Sequence, residues 1–359
     1  MQLHLVGGFL GSGKTTSIIA AAKLFMAQNK RVGIITNDQG KFLVDTGFFQ
    51  LADFPAVEVT GGCFCCNYGE LDSRLNELVD TVRPDVIFAE SVGSCADLVA
   101  TVIKPLLELR TENLQPSSFS VFADSRLLRL RLLGEPMPFT DNICYIFDQQ
   151  IEEAGILVIN KTDLLSRSRL DELMGLVGQR YSAKTILTQS AIAPSGVTKW
   201  FDLLSGVHLP PIPKNSVDMD YQRYGAGEAK LAWLDQKVVF HLDPLQNGSQ
   251  LVLSLTTELL ENLKHKNAPI GHLKILASSD TGDFCKVSIT TLEDSQWQDQ
   301  ITRLDGSRLE ILINARVEME AIALQTIIND LLVNFPFINI LSDAEAFHPA
   351  QPQPTYRFA

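Results

Sequence analysis

From residue 1 to about residue 207 short apolar runs alternate with longer amphipathic stretches. The runs Gln2–Val6, Arg31–Thr36, Val57–Thr60, Val86–Glu90, Phe119–Asp124, Ile156–Asn160 and Lys184–Thr188 have the length and apolar content of strands, as in a sheet covered on both faces. Between them Lys14–Asn29, Glu70–Thr81, Ser94–Leu109, Asn142–Ala154 and Ser166–Gln179 carry apolar residues at three- and four-residue spacing, which predicts helices. This alternation predicts an α/β fold with a mostly parallel sheet flanked by helices, and places ligands at the strand C-terminal ends.

The pattern breaks over 209–228, where Leu-Pro-Pro-Ile-Pro, an Asn-Ser pair and a Gly-Ala-Gly triplet lie without apolar periodicity; a linker is expected there. Beyond it the order becomes a strand (Lys230–Leu242), a helix (Ser249–Lys266), two strands around a turn at Ser278–Asp283, a strand (Arg308–Arg316), a helix (Glu318–Asn334) and a last strand near Asn339–Phe347. That is a smaller, antiparallel-rich α+β domain of the split βαβ kind. The expected organisation is therefore a first domain over 1–208, a linker over 209–228, a second domain over 229–347, and an extended, proline-containing tail over 348–359 to which no motif assigns a role.

Composition removes several function classes. With 45% hydrophobic and 20% charged residues the chain is expected to fold rather than stay disordered. Thirty Lys and Arg against 42 Asp and Glu give a net charge of −12, which disfavours binding to nucleic acid or to an anionic membrane. No apolar run approaches the roughly 20 residues of a membrane-spanning helix, and the first residues lack a secretory leader pattern, so a cytoplasmic chain is expected. Six cysteines, three of them crowded at Cys63, Cys65 and Cys66, suit metal ligation or thiol chemistry better than a disulfide framework.

Gly8-Phe9-Leu10-Gly11-Ser12-Gly13-Lys14-Thr15 fits the spacing G-x-x-x-x-G-K-[ST] between an apolar strand and an amphipathic helix, the context of a phosphate-binding loop. Backbone amides around Gly8, Gly11, Ser12 and Gly13 would converge on the α- and β-phosphates at a helix N-terminus, with Thr16 next in the first turn. Lys14 would reach the β- and γ-phosphates, and Thr15 would offer its hydroxyl oxygen to Mg²⁺. Asn160-Lys161-Thr162-Asp163 ends a later strand. The Asp163 carboxylate can accept from guanine N1–H and the exocyclic amine, a donor pair that adenine lacks, so GTP is favoured. Lys161 would lie over the base and Asn160 would tie this loop to the phosphate loop, while Ser190-Ala191 offers an amide to guanine O6. The plainer alternative makes Asp163 a helix N-cap.

Gly61-Gly62-Cys63-Phe64-Cys65-Cys66-Asn67 places three thiols in one turn after a strand and before a helix. Soft thiolates suit Zn²⁺ or Cu⁺, and three of them leave a tetrahedral site one ligand short, which fits a transfer site better than a closed structural one. Oxidation of the vicinal Cys65 and Cys66, or a purely structural role, are the alternatives. Cys95, Cys144 and Cys285 stand singly on apolar patterns and are read as core. Asp38 and Asp45 follow the strand Arg31–Thr36, and Glu90 ends the strand at Val86 in Glu90-Ser91-Val92-Gly93. Asp38 could hold Mg²⁺ or a second metal, Glu90 could orient water or Mg²⁺, and the Gly93 amide could sense the γ-phosphate. A solvated loop acid is the alternative for each carboxylate.

Taken together, Gly8–Thr16, Asn37 to Asp45, the Cys-x-Cys-Cys turn, Glu90–Gly93 and Asn160–Asp163 resemble a CobW-like metallochaperone P-loop GTPase, a relative of UreG and HypB. The resemblance covers about the first 165 residues. It implies GTP hydrolysis with Mg²⁺, catalysis resting on Lys14, Asp38 and Glu90, and Zn²⁺ (or Co²⁺ or Ni²⁺) held by Cys63, Cys65 and Cys66 for delivery to a client metalloprotein. It also implies a small α+β second domain. The family often has Asn-Glu-x-Gly-Glu where this chain has Asn37-Asp38-Gln39-Gly40-Lys41, and the six histidines are dispersed, which argues against bulk metal storage. Two other functions stay open: a P-loop ATPase or small-molecule kinase with structural cysteines, and a non-hydrolysing metal sensor or scaffold. Beyond the client, a homodimer is the one further partner expected.

Overall fold

The larger sheet is built from strands whose apolar runs are continuous because both faces are covered. In the computed structural model, which describes residues 1–40, 44–52, 54–110, 114–206, 208–243, 247–291, 297–335 and 338–358, these strands are β1 (Gln2–Gly8), β2 (Val32–Asn37), β3 (Ala56–Val59), β4 (Val86–Glu90), β5 (Pro116–Asp124), β6 (Ile156–Asn160) and β7 (Thr185–Thr188). All pair in parallel, in the order β3-β2-β4-β1-β5-β6-β7. Every residue of β2, β4 and β6 is buried. The chain passes from β4 across β1 to β5, so the order switches direction at β1, and the crevice at such a switch point is where open α/β sheets bind ligands.

The connecting helices are α1 (Lys14–Ala27), α2 (Val44–Leu51), α3 (Tyr68–Thr81), α4 (Lys104–Leu109), α5 (Ser125–Leu133), α6 (Asp141–Glu152), α7 (Arg167–Arg180), α8 (Thr198–Ser205) and α9 (Tyr221–Glu228). Several depart from the sequence reading. The helix expected over Ser94–Leu109 is a loop as far as Leu98, one π-helical turn over Val99–Ile103, and then α4. Asp97 takes a left-handed backbone conformation (φ 64°), and the buried Glu153 carboxylate accepts from the Val99 amide at 3.1 Å, so the helix starts later than its apolar pattern does. Helix α5 follows Asp124, whose side chain accepts from the Arg126 amide, and stops at the left-handed Gly134, an N-cap and C′ pair of the usual kind. Residues 209–228, read as a linker, end in α9. Its first turn is capped by Asp220, which accepts from the Gln222 and Arg223 amides at 2.9 and 3.1 Å.

The second sheet holds β8 (Leu231–His241), β9 (Ile270–Ser279), β10 (Phe284–Ile289), β11 (Arg308–Glu318) and β12 (Ile338–Phe347) in the antiparallel order β10-β9-β11-β8-β12. Strands β8 and β9 both run antiparallel to β11 between them, so they are parallel to each other, and α10 (Gly248–His265) connects them. This is the split βαβ unit expected from the sequence. With α11 (Ala321–Asn334), α10 buries Leu255, Leu259, Leu324 and Ile328 against Ile275 and Ile313.

The chain divides into two units, residues 1–39, 49–224 and 352–359 in the first, and residues 40–48 and 225–351 in the second. The crossing segment 40–48 joins the second because its polar groups are met there. The Val44 amide donates to Asn314 Oδ1 at 2.9 Å. Asp45 pairs with Lys274, and with Lys286 at 3.0 Å. Burial works against the Asp45 charge, but the two lysines outweigh it and hold the carboxyl well below its ordinary range. Next to Asn314, Arg316 and Asp235 form a fully buried ion pair at 2.8 Å, and the guanidinium lies 4.0 Å from the Trp233 ring centroid. Among the described residues no helix is long and apolar enough to cross a membrane.

Replacing Arg316 by Met would leave the buried Asp235 charge without its cation, which typically costs about 3–5 kcal/mol. Denaturant unfolding should show the second unit losing stability on that scale. A loss below about 1 kcal/mol would show that the pair is not what stabilises this face.

Candidate functional site

The turn from β1 into α1 is shaped by its glycines. At Gly8 (φ 126°) a Cβ would sit 2.2 Å from the Phe122 carbonyl oxygen, and at Gly13 (φ 88°) one would sit 2.3 Å from Asn160 Nδ2, so neither position admits a side chain. Helix α1 begins with no side-chain cap and no acidic residue in its first turn. Its leading N–H groups are left for an anion. Gly11 is also left-handed (φ 68°), Ser12 is buried, and Thr16 is exposed on the first turn. The Ser12 hydroxyl has no hydrogen-bond partner among the described residues. Lys14 is 6% exposed and folds over the loop, donating to Gly8 O at 2.8 Å. Thr15 donates its hydroxyl to Glu90 Oε1 at 2.9 Å, which brings β4 to the first turn of α1. Gly93, just beyond Glu90, packs so close to Leu10 that a Cβ would meet its Cδ2 at 2.7 Å.

Asn160, at the end of β6, donates to Ser12 O at 2.8 Å and accepts from the Ala191 amide at 3.2 Å. One side-chain amide thus ties together the phosphate loop, the Asn160–Asp163 loop and the Gln189–Ala191 loop, and the Ala191 N–H is engaged by Asn160. Thr162 adds two donations to Gln189 O, from its amide at 3.2 Å and its hydroxyl at 3.0 Å. Lys161 (φ 61°) places its ammonium 3.5 Å from Asp124. Burial opposes the Asp124 charge, and Lys161 and Arg126 overcome it, so its carboxyl stays below the ordinary range. Asp163 is exposed, and its carboxylate accepts no hydrogen bond among the described residues. It caps no helix: the N-cap of α7 is Ser166, whose hydroxyl accepts from the Arg169 amide.

The thiol turn is held by a second asparagine at a strand end. Asn37, closing β2, donates to Val59 O at 3.1 Å and Gly62 O at 2.8 Å and accepts from the Phe64 amide at 2.8 Å. Phe64 is buried and lines a small cavity with Leu5, Ala89 and Leu98. The turn is therefore pinned from both sides while its sulfurs converge. Cys63 and Cys65 Sγ lie 2.8 Å apart, Cys65 and Cys66 Sγ 3.7 Å apart, and all three within 4.8 Å of one another. Cys63 and Cys65 are buried, and Cys66 is partly exposed. Hydrogen bonds from Cys65, Cys66 and Cys95 hold the Cys63 thiol well below its ordinary pKa. The same sharing pushes Cys65 well up, and Cys66 up to about 11. Ligation of a soft divalent ion by all three sulfurs would release the protons the thiols hold.

Cys95, read as solitary core, is fully buried but shares hydrogen bonds with Cys63 and Cys65. Sequence separation concealed this, since Cys95 reaches the turn from the loop after β4. Asp38 follows Asn37 directly, is half-buried, and accepts from the Gln39 amide at 2.8 Å. Asp45, expected with it at the strand edge, is instead in the first turn of α2 and neutralised by Lys274 and Lys286, so it offers no free carboxylate to a metal. Lys41 lies outside the described residues. Cys144 and Cys285 are buried in α6 and β10.

Residues 2–188 match the family described as CobW/HypB/UreG, nucleotide-binding domain. Similar proteins include Zinc chaperone CobW of Sinorhizobium sp, 29% identical over 208 residues that cover 52% of this chain and 58% of the relative. Zinc chaperone YeiR of Escherichia coli is 33% identical over 171 residues, 45% of this chain and 47% of the relative. The chain spans about half the length of these curated relatives. Among solved structures, Zn(II)-bound YjiA GTPase from E. coli is 13% identical, with a TM-score of 0.38 over 92% of this chain and 98% of that one.

Because Asn37 positions the turn without itself offering a thiolate, any Zn²⁺ affinity of the three thiols should fall by about 10–100-fold in Asn37→Ala, the usual cost of losing an outer-shell partner. Competition against a chromophoric chelator would measure it, with circular dichroism checking the fold. An unchanged affinity would show that the turn keeps its shape unaided.

Proposed function

Since the chain belongs to the CobW/HypB/UreG family, we propose that it is a GTP-hydrolysing metallochaperone which carries Zn²⁺ on Cys63, Cys65 and Cys66 and inserts it into a client metalloprotein. One observation carries this reading: three converging thiols and an uncapped phosphate loop occupy the same unit, each fixed by an asparagine at a strand end. An ATPase or kinase with structural cysteines would not need a partly exposed Cys66, nor an unpartnered acidic acceptor at Asp163.

In the hydrolysis we propose, water attacks the γ-phosphorus and the bond to the β–γ bridging oxygen breaks, giving GDP and phosphate. The amides of residues 11–15 and the Lys14 ammonium neutralise charge on the phosphates. Glu90 positions the Thr15 hydroxyl, and Asp38 and Glu90 supply the carboxylates that orient water. The Thr15 oxygen with these acids suits Mg²⁺, a hard ion that favours oxygen ligands and would screen the β- and γ-phosphates. Asp163 selects guanine. At the thiol turn Zn²⁺ is cargo, and Co²⁺ or Ni²⁺ satisfy the same donors. A cytoplasmic location, where thiols stay reduced, accords with this chemistry.

The two halves of the proposal separate by mutation. Joint replacement of Cys63, Cys65 and Cys66 by Ser should abolish tight Zn²⁺ binding and leave the GTP affinity measured without added metal largely intact. Asp163→Asn should do the reverse, lowering GTP affinity sharply, raising affinity for xanthosine triphosphate and sparing Zn²⁺. Calorimetric titration reads both. GTP affinity unaltered in Asp163→Asn would refute guanine selection, and Zn²⁺ affinity unaltered in the triple variant would refute the thiol centre.

A further inference from the structure

The segment Pro352–Phe358 lies along the thiol turn. The Gln353 amide donates to Cys66 Sγ at 3.3 Å. The Thr355 amide donates to Cys65 O at 2.8 Å, and its hydroxyl to Cys66 O at 3.1 Å. Tyr356 meets the ring of Tyr68, the first residue of α3, edge-on at 5.2 Å between centroids. The far end is latched. Arg357 Nε donates to Asp97 Oδ2 at 2.8 Å, the Phe358 amide donates to Ala100 O at 2.9 Å, and Lys104 Nζ and Ser216 Oγ reach Phe358 O at 3.4 and 3.3 Å.

We propose that Pro352–Phe358 is a strap that closes the thiol site at Cys66 and must undock for a metal ion to enter or leave. Cys63 and Cys65 are buried, Cys66 is the partly exposed member of the cluster, and its sulfur is the one the strap engages. The Gln353 N–H takes one lone pair of Cys66 Sγ and sets the strap backbone on that side of the sulfur, so an ion approaching from there must displace it. The strap is held by hydrogen bonds and one ion pair more than by apolar burial: Gln353, Thr355, Tyr356 and Arg357 are exposed and Pro352 alone is buried. It can therefore lift without unfolding the sheet.

Its latch is placed for control. Asp97 is fully buried and strained into the left-handed region, and it also accepts from Tyr221 at 2.7 Å. The loop that carries it begins at Glu90, the carboxylate bonded to Thr15 in the phosphate loop. One continuous loop thus runs from the nucleotide pocket to the strap.

The role in metal passage rests on the proposed metallochaperone reading, so the decisive experiment uses the reduced, metal-free full chain. The rate of Cys66 alkylation by iodoacetamide would be followed by mass spectrometry in four proteins: wild type, Gln353→Ala, Gln353→Pro and Arg357→Ala. Gln353→Pro deletes the donor to sulfur while keeping an extended backbone, and Arg357→Ala releases the latch. Arg357→Ala should raise the rate about tenfold or more, the scale of one lost charge-assisted hydrogen bond, and Gln353→Pro, which loses a neutral one, about three- to tenfold. Gln353→Ala keeps its amide and should stay within about twofold of wild type. Zn²⁺ release to a chelator should accelerate in the same two variants. Equal alkylation rates in all four proteins would overturn the strap, and faster alkylation without faster Zn²⁺ release would overturn its part in metal passage. A wild-type chain that binds no Zn²⁺ while the alkylation differences persist would instead strike the metal reading and leave the strap standing.

Discussion

A side-chain amide at the end of a parallel strand can continue the sheet's hydrogen bonding into the loops beyond it, and the candidate site depends on two such amides. Asn160 at the end of β6 accepts from one loop and donates to another, holding the phosphate loop against the Asn160–Asp163 loop. Asn37 at the end of β2 does the same for the thiol turn, with two donations and one acceptance. Asn is suited to this work because it offers donors and an acceptor on a short, neutral arm. A carboxylate in either place could not donate, and would add charge beside phosphates or thiolates.

Charge is distributed along the same edge with opposite purposes. The uncapped first turn of α1 and the Lys14 ammonium gather positive potential for an anion. At the thiol cluster, shared hydrogen bonds hold the Cys63 pKa down and push that of Cys65 up, setting out soft donors for a cation. Between them runs the stretch from Glu90 to Asp97, which touches Thr15 at its start, brings Cys95 to the cluster and anchors Arg357 at its end. This single stretch of backbone therefore touches the phosphate loop, the thiol turn and the tail segment that carries Arg357.

Much of this was legible in the sequence, for reasons that are local. Phosphate-loop glycines followed by Lys14, continuous apolar runs in β4 and β6, and the split βαβ order after residue 229 are patterns within short windows. What was hidden depends on contacts made at long range. Cys95 meets Cys63 and Cys65 across a strand and a helix, Asp45 finds Lys274 and Lys286, and the proline-containing tail finds the thiol turn. The π turn at Val99–Ile103 was missed because apolar spacing continues through Asp97, while the left-handed backbone there and the buried Glu153 decide where the helix starts. Helix α5 announced itself by Asp124 and Gly134 at its two ends, a signal present in the sequence and passed over.

If the phosphate loop and the thiol turn act as one coupled device, nucleotide and metal must alter each other's affinity by the same factor, because linkage is reciprocal. Zn²⁺ affinity measured side by side with a non-hydrolysable GTP analogue and with GDP, on anaerobically purified protein, tests this most directly. Coupling gives a difference of roughly 5- to 150-fold between the two states, corresponding to about 1–3 kcal/mol, in whichever direction delivery requires. Equal affinities in both states would contradict it and leave a nucleotide site and a thiol site that merely share an edge.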